Sequence, residues 1–222
     1  MFESAQEVAE MLFVFKEPLF HAGNPDVYRH LADWAKSHHC EDLAWLSSQA
    51  SQRVDDIEAN FNRMCIGPYR LVVPPYESVW RSGGRVLNNR FSATVAYSYA
   101  QLGLTMNKNF NEMSDYVGNE LEFLYCTSAL CSTHRSEGLD SEAEELASMF
   151  SRFWAEHLGH WIFDFLDAIA DNAQEAFWQQ WANDLRKELS EIFNDIALSS
   201  SMSGLEMPVF GPVTTQKEKV LL

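Results

Sequence analysis

Apolar residues recur at helical spacing along most of the chain. Ala5, Val8, Leu12 and Phe15 fall on one face of a helix. Val27, Leu31 and Trp34 fall on another, behind Asn24-Pro25, which places an N-cap residue before a proline at the first helical position. A third helical stretch is predicted from about Glu41 to Met64. Further on, Asn109 followed three residues later by Glu112 resembles a capping box, and Met113, Val117, Leu121, Leu124 and Ser128 then form a buried stripe. The opposite side of that helix carries Glu112, Asp115, Asn119 and Glu122, which reads as its solvent face. Two helices meet at Gly159: Leu146, Met149, Phe153 and His157 stripe the first, and Trp161, Phe165 and Ile169 the second. A last helix carries Trp178, Trp181, Leu185, Leu189, Ile192 and Ile196.

Proline placement fits this pattern. Pro18, Pro25, Pro68, Pro74, Pro75, Pro208 and Pro212 leave Tyr76 to Met207 free of the residue that most often breaks helices. Gly67-Pro68 and Pro74-Pro75 interrupt the chain, so Ile66 to Gly84 is expected to be an ordered loop lined with aromatics. No strand-type alternation is sustained and no internal repeat is visible. The predicted fold class is all-α, a single-domain bundle of about 8–10 helices over residues 1–198. Residues 199–222 turn to Ser, Gly and Pro without period and read as a flexible tail.

Composition narrows the function. The 222 residues can bury a core without covalent staples, and seven Trp, seven Tyr and fifteen Phe supply one. A formal charge of -16 repels phosphate backbones and anionic lipid heads, which argues against nucleic acid and favours basic partners. Cys40, Cys65, Cys126 and Cys131 show no C-x-x-C spacing, as expected for a reducing cytoplasm. Residues 1–20 carry Glu3, Glu7, Glu10 and Glu17 and lack a basic start, unlike a secretory leader, and no apolar run suits an integral membrane segment.

Catalytic patterns are sparse. There is no Walker loop, no G-x-G-x-x-G and no G-x-S-x-G, and Ser82-Gly83-Gly84-Arg85 reads as a turn. No histidine has Glu or Asp three residues before it, as a di-iron bundle would require. His157 and His160, near Glu156 and Asp164, are the best metal candidates, but the glycine between them interrupts the helix, and packing and capping roles are preferred. His38-His39-Cys40 cannot converge on one ion without a further ligand. Cys126 and Cys131 read as packing residues, and Glu142, Glu144 and Glu145 as the solvated first turn of a helix. The expectation is no catalytic residue, no metal and no cofactor.

Three patterns in order resemble the TorD/DmsD family of redox-enzyme maturation chaperones. They are Gly67-Pro68-Tyr69 with Pro74-Pro75-Tyr76-Glu77-Ser78-Val79-Trp80, then Asp115-Tyr116-Val117-Gly118-Asn119-Glu120-Leu121, then His157-Leu158-x-x-Trp161. The likeness runs from about Phe61 to Trp181. It implies an all-helical cytoplasmic chaperone of anaerobic respiration, monomer or homodimer, which binds the twin-arginine signal peptide of a molybdopterin oxidoreductase precursor. Such a chaperone assists maturation of a dimethyl sulfoxide or trimethylamine oxide reductase before export.

A leader of that kind joins paired guanidinium groups to an apolar stretch, so its receptor needs carboxylates beside a hydrophobic groove. Glu112 and Asp115 suit the first part, and Phe61, Tyr76 and Trp80 the second. Pro75, Glu77 and Glu120 belong to the same motifs. The family's Asp-His pair falls on Asp115 and Tyr116, and tyrosine in the second place removes a group that titrates near neutrality. Two alternatives remain: an assembly factor for a non-exported molybdoenzyme such as nitrate reductase, and a metal-dependent helical hydrolase using His157, His160 and Asp164.

Overall fold

The computed structural model describes residues 4–67, 71–83, 87, 89–105 and 112–202, with backbone alone for 195–202. Among them are ten α-helices, one π-turn, one 3₁₀ turn and no strand. The all-α expectation is met. Pro68, Tyr69, Gly84, Arg85 and Asn109, together with 203–222 of the expected tail, lie outside the described residues.

Local capping sets several of the boundaries. Helix α1 (Ala5–Phe20) begins at Ser4, whose side chain accepts from the Glu7 amide. Pro18 sits in its last turn, where the missing N–H costs one bond and the helix ends within a turn. Helix α2 (Pro25–Ser37) starts as predicted, with Asn24 Oδ1 taking the Asp26 amide at 3.0 Å. The stretch from Glu41 is two helices, not one. Helix α3 (Glu41–Ala50) and α4 (Val54–Phe61) are separated at Ser51-Gln52-Arg53, and α4 relaxes into a π-turn, Asn62–Ile66.

The loop expected up to Gly84 contains a single-turn helix, α5 (Glu77–Arg81). Helix α6 (Arg90–Gln101) has no counterpart in the apolar pattern because its buried face is Ser92, Val95 and Tyr99. Helix α7 (Val117–Ser136) starts later than its apolar stripe suggested, with Tyr116 at the N-cap position. Glu112 and Asp115 therefore precede the helix and do not share a face of it. Half of the expected solvent face is interior: Asp115 is 0% exposed and Asn119 6% exposed, while Glu112 and Glu122 are half-buried.

Helices α8 (Asp140–Glu156), α9 (Ile162–Asn172) and α10 (Ala176–Met202) follow the predicted stripes, with the 3₁₀ turn Leu158–His160 joining the first two. Gly159 is required there, since a Cβ would fall 2.7 Å from the Trp154 indole and 2.8 Å from its carbonyl oxygen. Helix α10 continues four residues past 198, into the stretch expected to be tail.

The helices enclose one main core. α1 lies along α7, α7 along α8, α2 on α3, and α10 against both α3 and α9. Trp161, Trp178 and Trp181 are fully buried at its centre. Their indole nitrogens reach across the chain: Trp178 Nε1 donates to Ile57 O at 2.9 Å and Trp181 Nε1 to Phe15 O at 3.1 Å. Asn60 Oδ1 accepts the amides of Gln174 and Glu175, tying α4 to the start of α10.

Candidate functional site

The first two sequence motifs clasp each other. The Pro75 carbonyl accepts the Val117 amide at 2.9 Å, the Asp115 carbonyl accepts the Glu77 amide at 3.0 Å, and Tyr76 faces Tyr116 in a short antiparallel bridge. Asp115 is the hub. One carboxylate oxygen takes the Ser78 amide at 2.9 Å, capping α5 from outside that helix, and the other takes the Ser92 hydroxyl of α6 at 2.7 Å. A five-residue helix cannot sustain itself in isolation, so this distant cap is what makes α5 possible.

Tyr116 extends the clasp to α1, donating its hydroxyl to Leu19 O at 2.6 Å. Its ring stands edge-on to Phe20, with centroids 5.8 Å apart. Gly118 makes room for both rings, since a Cβ there would meet Tyr116 Cε1 at 2.6 Å and Phe20 Cζ at 2.8 Å. Burial holds the Tyr116 phenol well above its ordinary pKa, so at this position it is a neutral donor throughout the physiological range.

Beneath the clasp lies a set of buried charged groups. Glu77 is 0% exposed and engages Arg81 through one oxygen and His157 Nδ1 at 2.9 Å through the other. Arg81 also donates to the Glu156 carbonyl at 2.6 Å. Glu120 accepts from Trp161 Nε1 at 3.1 Å, while among the described residues no donor is aimed at its Oε1 and Glu77 is its neighbour. Burial, reinforced by the neighbouring Glu77, raises the Glu120 pKa well above the carboxylate range. A proton there would satisfy a contact that two carboxylates could not share. The third motif thus closes on the first two, His157 on Glu77 and Trp161 on Glu120.

The structure sorts the sequence candidates into two groups. Asp115, Tyr116, Glu120, Pro75, Glu77 and Phe61 are buried, and Phe61 is stacked on Trp178 with centroids 5.0 Å apart. Tyr76, Trp80 and Glu112 are half-buried. The Tyr76 hydroxyl donates to Glu112 Oε2 at 2.5 Å, and Trp80 Nε1 donates to Pro74 O at 2.7 Å. Burial and Glu112 together push the Tyr76 pKa upward.

Sequence reasoning did not find the cleft beside the clasp. It has a volume of about 260 Å³ and is bordered by Lys16, Glu17 and Phe20 of α1, Tyr99 of α6, Leu104, and Asn119, Glu122 and Cys126 of α7. Lys16 is 4% exposed, bonded to Glu17 at 2.6 Å and Glu122 at 2.8 Å, and packed over the rings of Phe13, Tyr125 and Phe20. Burial works against its charge, but the hydrogen bonds to Glu122 and Glu17 outweigh that and raise its pKa. The Cys126 thiol is pushed up to about 11 by burial and Glu122. A lysine directly after the apolar run Leu12-Phe13-Val14-Phe15, and one turn from Phe20, was the available signal.

Metal chemistry has no evident seat. Among the described residues no group of three or more His, Cys, Asp or Glu is placed to hold an ion. His157 is committed to Glu77, and the cysteines are free thiols. No described helix is long and apolar enough to cross a membrane.

Comparison with known proteins completes this description. The family model described as "Nitrate reductase delta subunit" matches residues 20–167. The Tat proofreading chaperone DmsD of Salmonella paratyphi A is 29% identical over 119 residues, which cover 54% of this chain and 52% of that protein. The proteins of the same name from Salmonella typhi and Salmonella typhimurium match to the same extent. The matched segment spans about half the length of these curated relatives. The family match includes Pro75 to Trp80, Asp115 to Leu121 and His157 to Trp161, the segments that close around Asp115 and Glu77, and it is a match to chaperones, not to enzymes. The chain belongs to the nitrate reductase delta subunit family, the TorD/DmsD type of chaperone.

Proposed function

We propose that this chain is a cytoplasmic maturation chaperone for a molybdopterin oxidoreductase, and that it binds the twin-arginine leader of the enzyme's precursor before export. The observation that carries the reading is the convergence of all three motifs on one clasp, in a chain whose relatives are named as Tat proofreading chaperones. A chain with a formal charge of -16 suits a basic client segment.

Within this reading the candidate residues divide by burial. Tyr76, Trp80 and Glu112 face the peptide, since they are partly open. Asp115, Tyr116, Glu120, Pro75, Glu77 and Phe61 shape the surface from below. Titration of the purified chain with a synthetic twin-arginine leader in a calorimeter should show saturable binding. Absence of heat with leaders of several molybdoenzyme precursors would overturn the reading.

Asp115 tests the division. Asp115→Asn keeps an acceptor for the Ser78 amide and a polar group for Ser92, so it should bind the leader as the parent does, whereas Asp115→Ala should bind more weakly. Equal loss in both variants would put the Asp115 charge on the peptide itself.

The family's description favours one second reading, an assembly factor for a nitrate reductase that is not exported. Capture of the client from anaerobically grown cells and identification of its large subunit separates the two.

A further inference from the structure

We propose that the cleft between α1, α6 and α7 receives one arginine side chain of the client segment, with Glu17 and Glu122 as its acceptors and Lys16 as the internal cation that limits its affinity. The inference rests on the peptide-binding reading above and assigns part of that recognition to residues outside the sequence motifs.

The charge count points to a cation. Among the described residues two carboxylates border the cleft with Lys16 between them and His21 beside them, which with histidine counted as neutral leaves one unit of negative charge. Lys16 takes one oxygen from each, Glu17 Oε1 and Glu122 Oε2. A carboxylate has about four lone-pair positions, so both retain capacity, and among the described residues the other Glu122 oxygen is bonded by the weak Cys126 thiol donor at 3.8 Å alone. Glu122 keeps 34% of its side chain exposed, so it is reachable, while the Lys16 side chain keeps 5%.

The walls favour a flat, delocalised cation. Phe20 and Tyr99 border the cleft, and the rings around Lys16 show that this region already holds a positive charge against aromatic faces. Guanidinium is more weakly hydrated than ammonium and bonds carboxylates through a planar fork. Asn119 joins the cleft to the clasp: its side chain donates to Met113 O at 2.7 Å, and its carbonyl takes the Tyr99 hydroxyl. Phe20, at the cleft rim, touches Tyr116 of the clasp. Tyr76 packs on the same Tyr116 ring, with centroids 6.0 Å apart, so one buried ring links the peptide-facing turn to the cleft rim.

The test uses the full chain and two synthetic peptides of one sequence, one with paired arginines before an apolar stretch and one with both arginines replaced by glutamine. Glu122→Gln should weaken the arginine peptide about tenfold, a change of about 1.4 kcal/mol, and leave the glutamine peptide unchanged. Lys16→Met, which keeps the stem and removes the charge, should strengthen the arginine peptide severalfold. Glu142→Gln, on the exposed acidic start of α8, should change neither.

A structural role alone would weaken both peptides in both variants. Equal loss for the two peptides in Glu122→Gln, or weaker arginine-peptide binding in Lys16→Met with its fold intact by circular dichroism, overturns the cleft assignment. Failure of the parent chain to bind either peptide overturns the leader reading instead.

Discussion

The tryptophan-rich core around α10 and the polar clasp around Asp115 are equally dry, yet they are held by different physics. Trp178 and Trp181 fill space and release water, and their stabilisation scales with area and fit. Asp115, Glu77 and Glu120 gain little from burial itself. They persist because nearly every oxygen has a donor. The first region should tolerate changes that preserve volume. The second should tolerate only changes that preserve hydrogen bonds.

The largest effect is expected in the core. Trp181→Ala should cost about 3–5 kcal/mol by leaving a cavity, with Trp181→Phe losing much less, measured as urea midpoints. In the clasp the order of sizes should not matter. Asp115→Ala orphans two buried donors and should cost about 2–3 kcal/mol, while Asp115→Leu, though larger and apolar, should be no better. If Asp115→Leu restored stability, the clasp would be ordinary core and the distinction would fail.

Gly118→Ala comes next, at about 1–2 kcal/mol, because the added methyl must displace Phe20 or Tyr116. Trimming the obstruction with Phe20→Leu in the same chain should recover part of the loss. Additive losses in the double variant would show that the two residues are uncoupled.

The smallest effect has the opposite sign. A raised pKa lets the folded chain hold the Glu120 proton to higher pH than the unfolded chain, which releases it above about pH 4.3. The stability this group contributes is whole below that pH and drains away as pH rises toward its raised folded pKa. Glu120→Gln mimics the protonated acid and can still accept from Trp161. It should therefore raise the melting temperature at pH 8 and leave it nearly unchanged at pH 4.5. A parallel shift at both pH values would mean that Glu120 is ionised in the fold.

The same contrast explains what could be read from the sequence. Stripes such as Trp161, Phe165 and Ile169 announce themselves because burial of apolar groups follows a local period. Helix α6 stays silent because Ser92 and Tyr99 are buried through hydrogen bonds to Asp115 and to the Asn119 carbonyl. Asp115 and Asn119 look like part of a solvent face for the same reason. Carboxylates are exposed by default, and the groups that satisfy these ones arrive from other parts of the chain. The family motifs mark the segments that form the clasp without revealing that most of their polar members face inward. The charged groups of the cleft, Lys16, Glu17 and Glu122, belong to no motif, and the only hint of them is a lysine that follows an apolar run yet is buried.

The cap on α5 also sets an order of events. Ser78 and its cap Asp115 are 37 positions apart, and Glu77 waits for His157, 80 positions on. On a ribosome that adds about 5–20 residues each second, the peptide-facing turn has no folded form until seconds after its own synthesis. Until then Tyr76 and Trp80 ride on unstructured nascent chain. The surface proposed to greet a client cannot be completed by its own segment, and a chain that stopped short of His157 would carry no competent version of it.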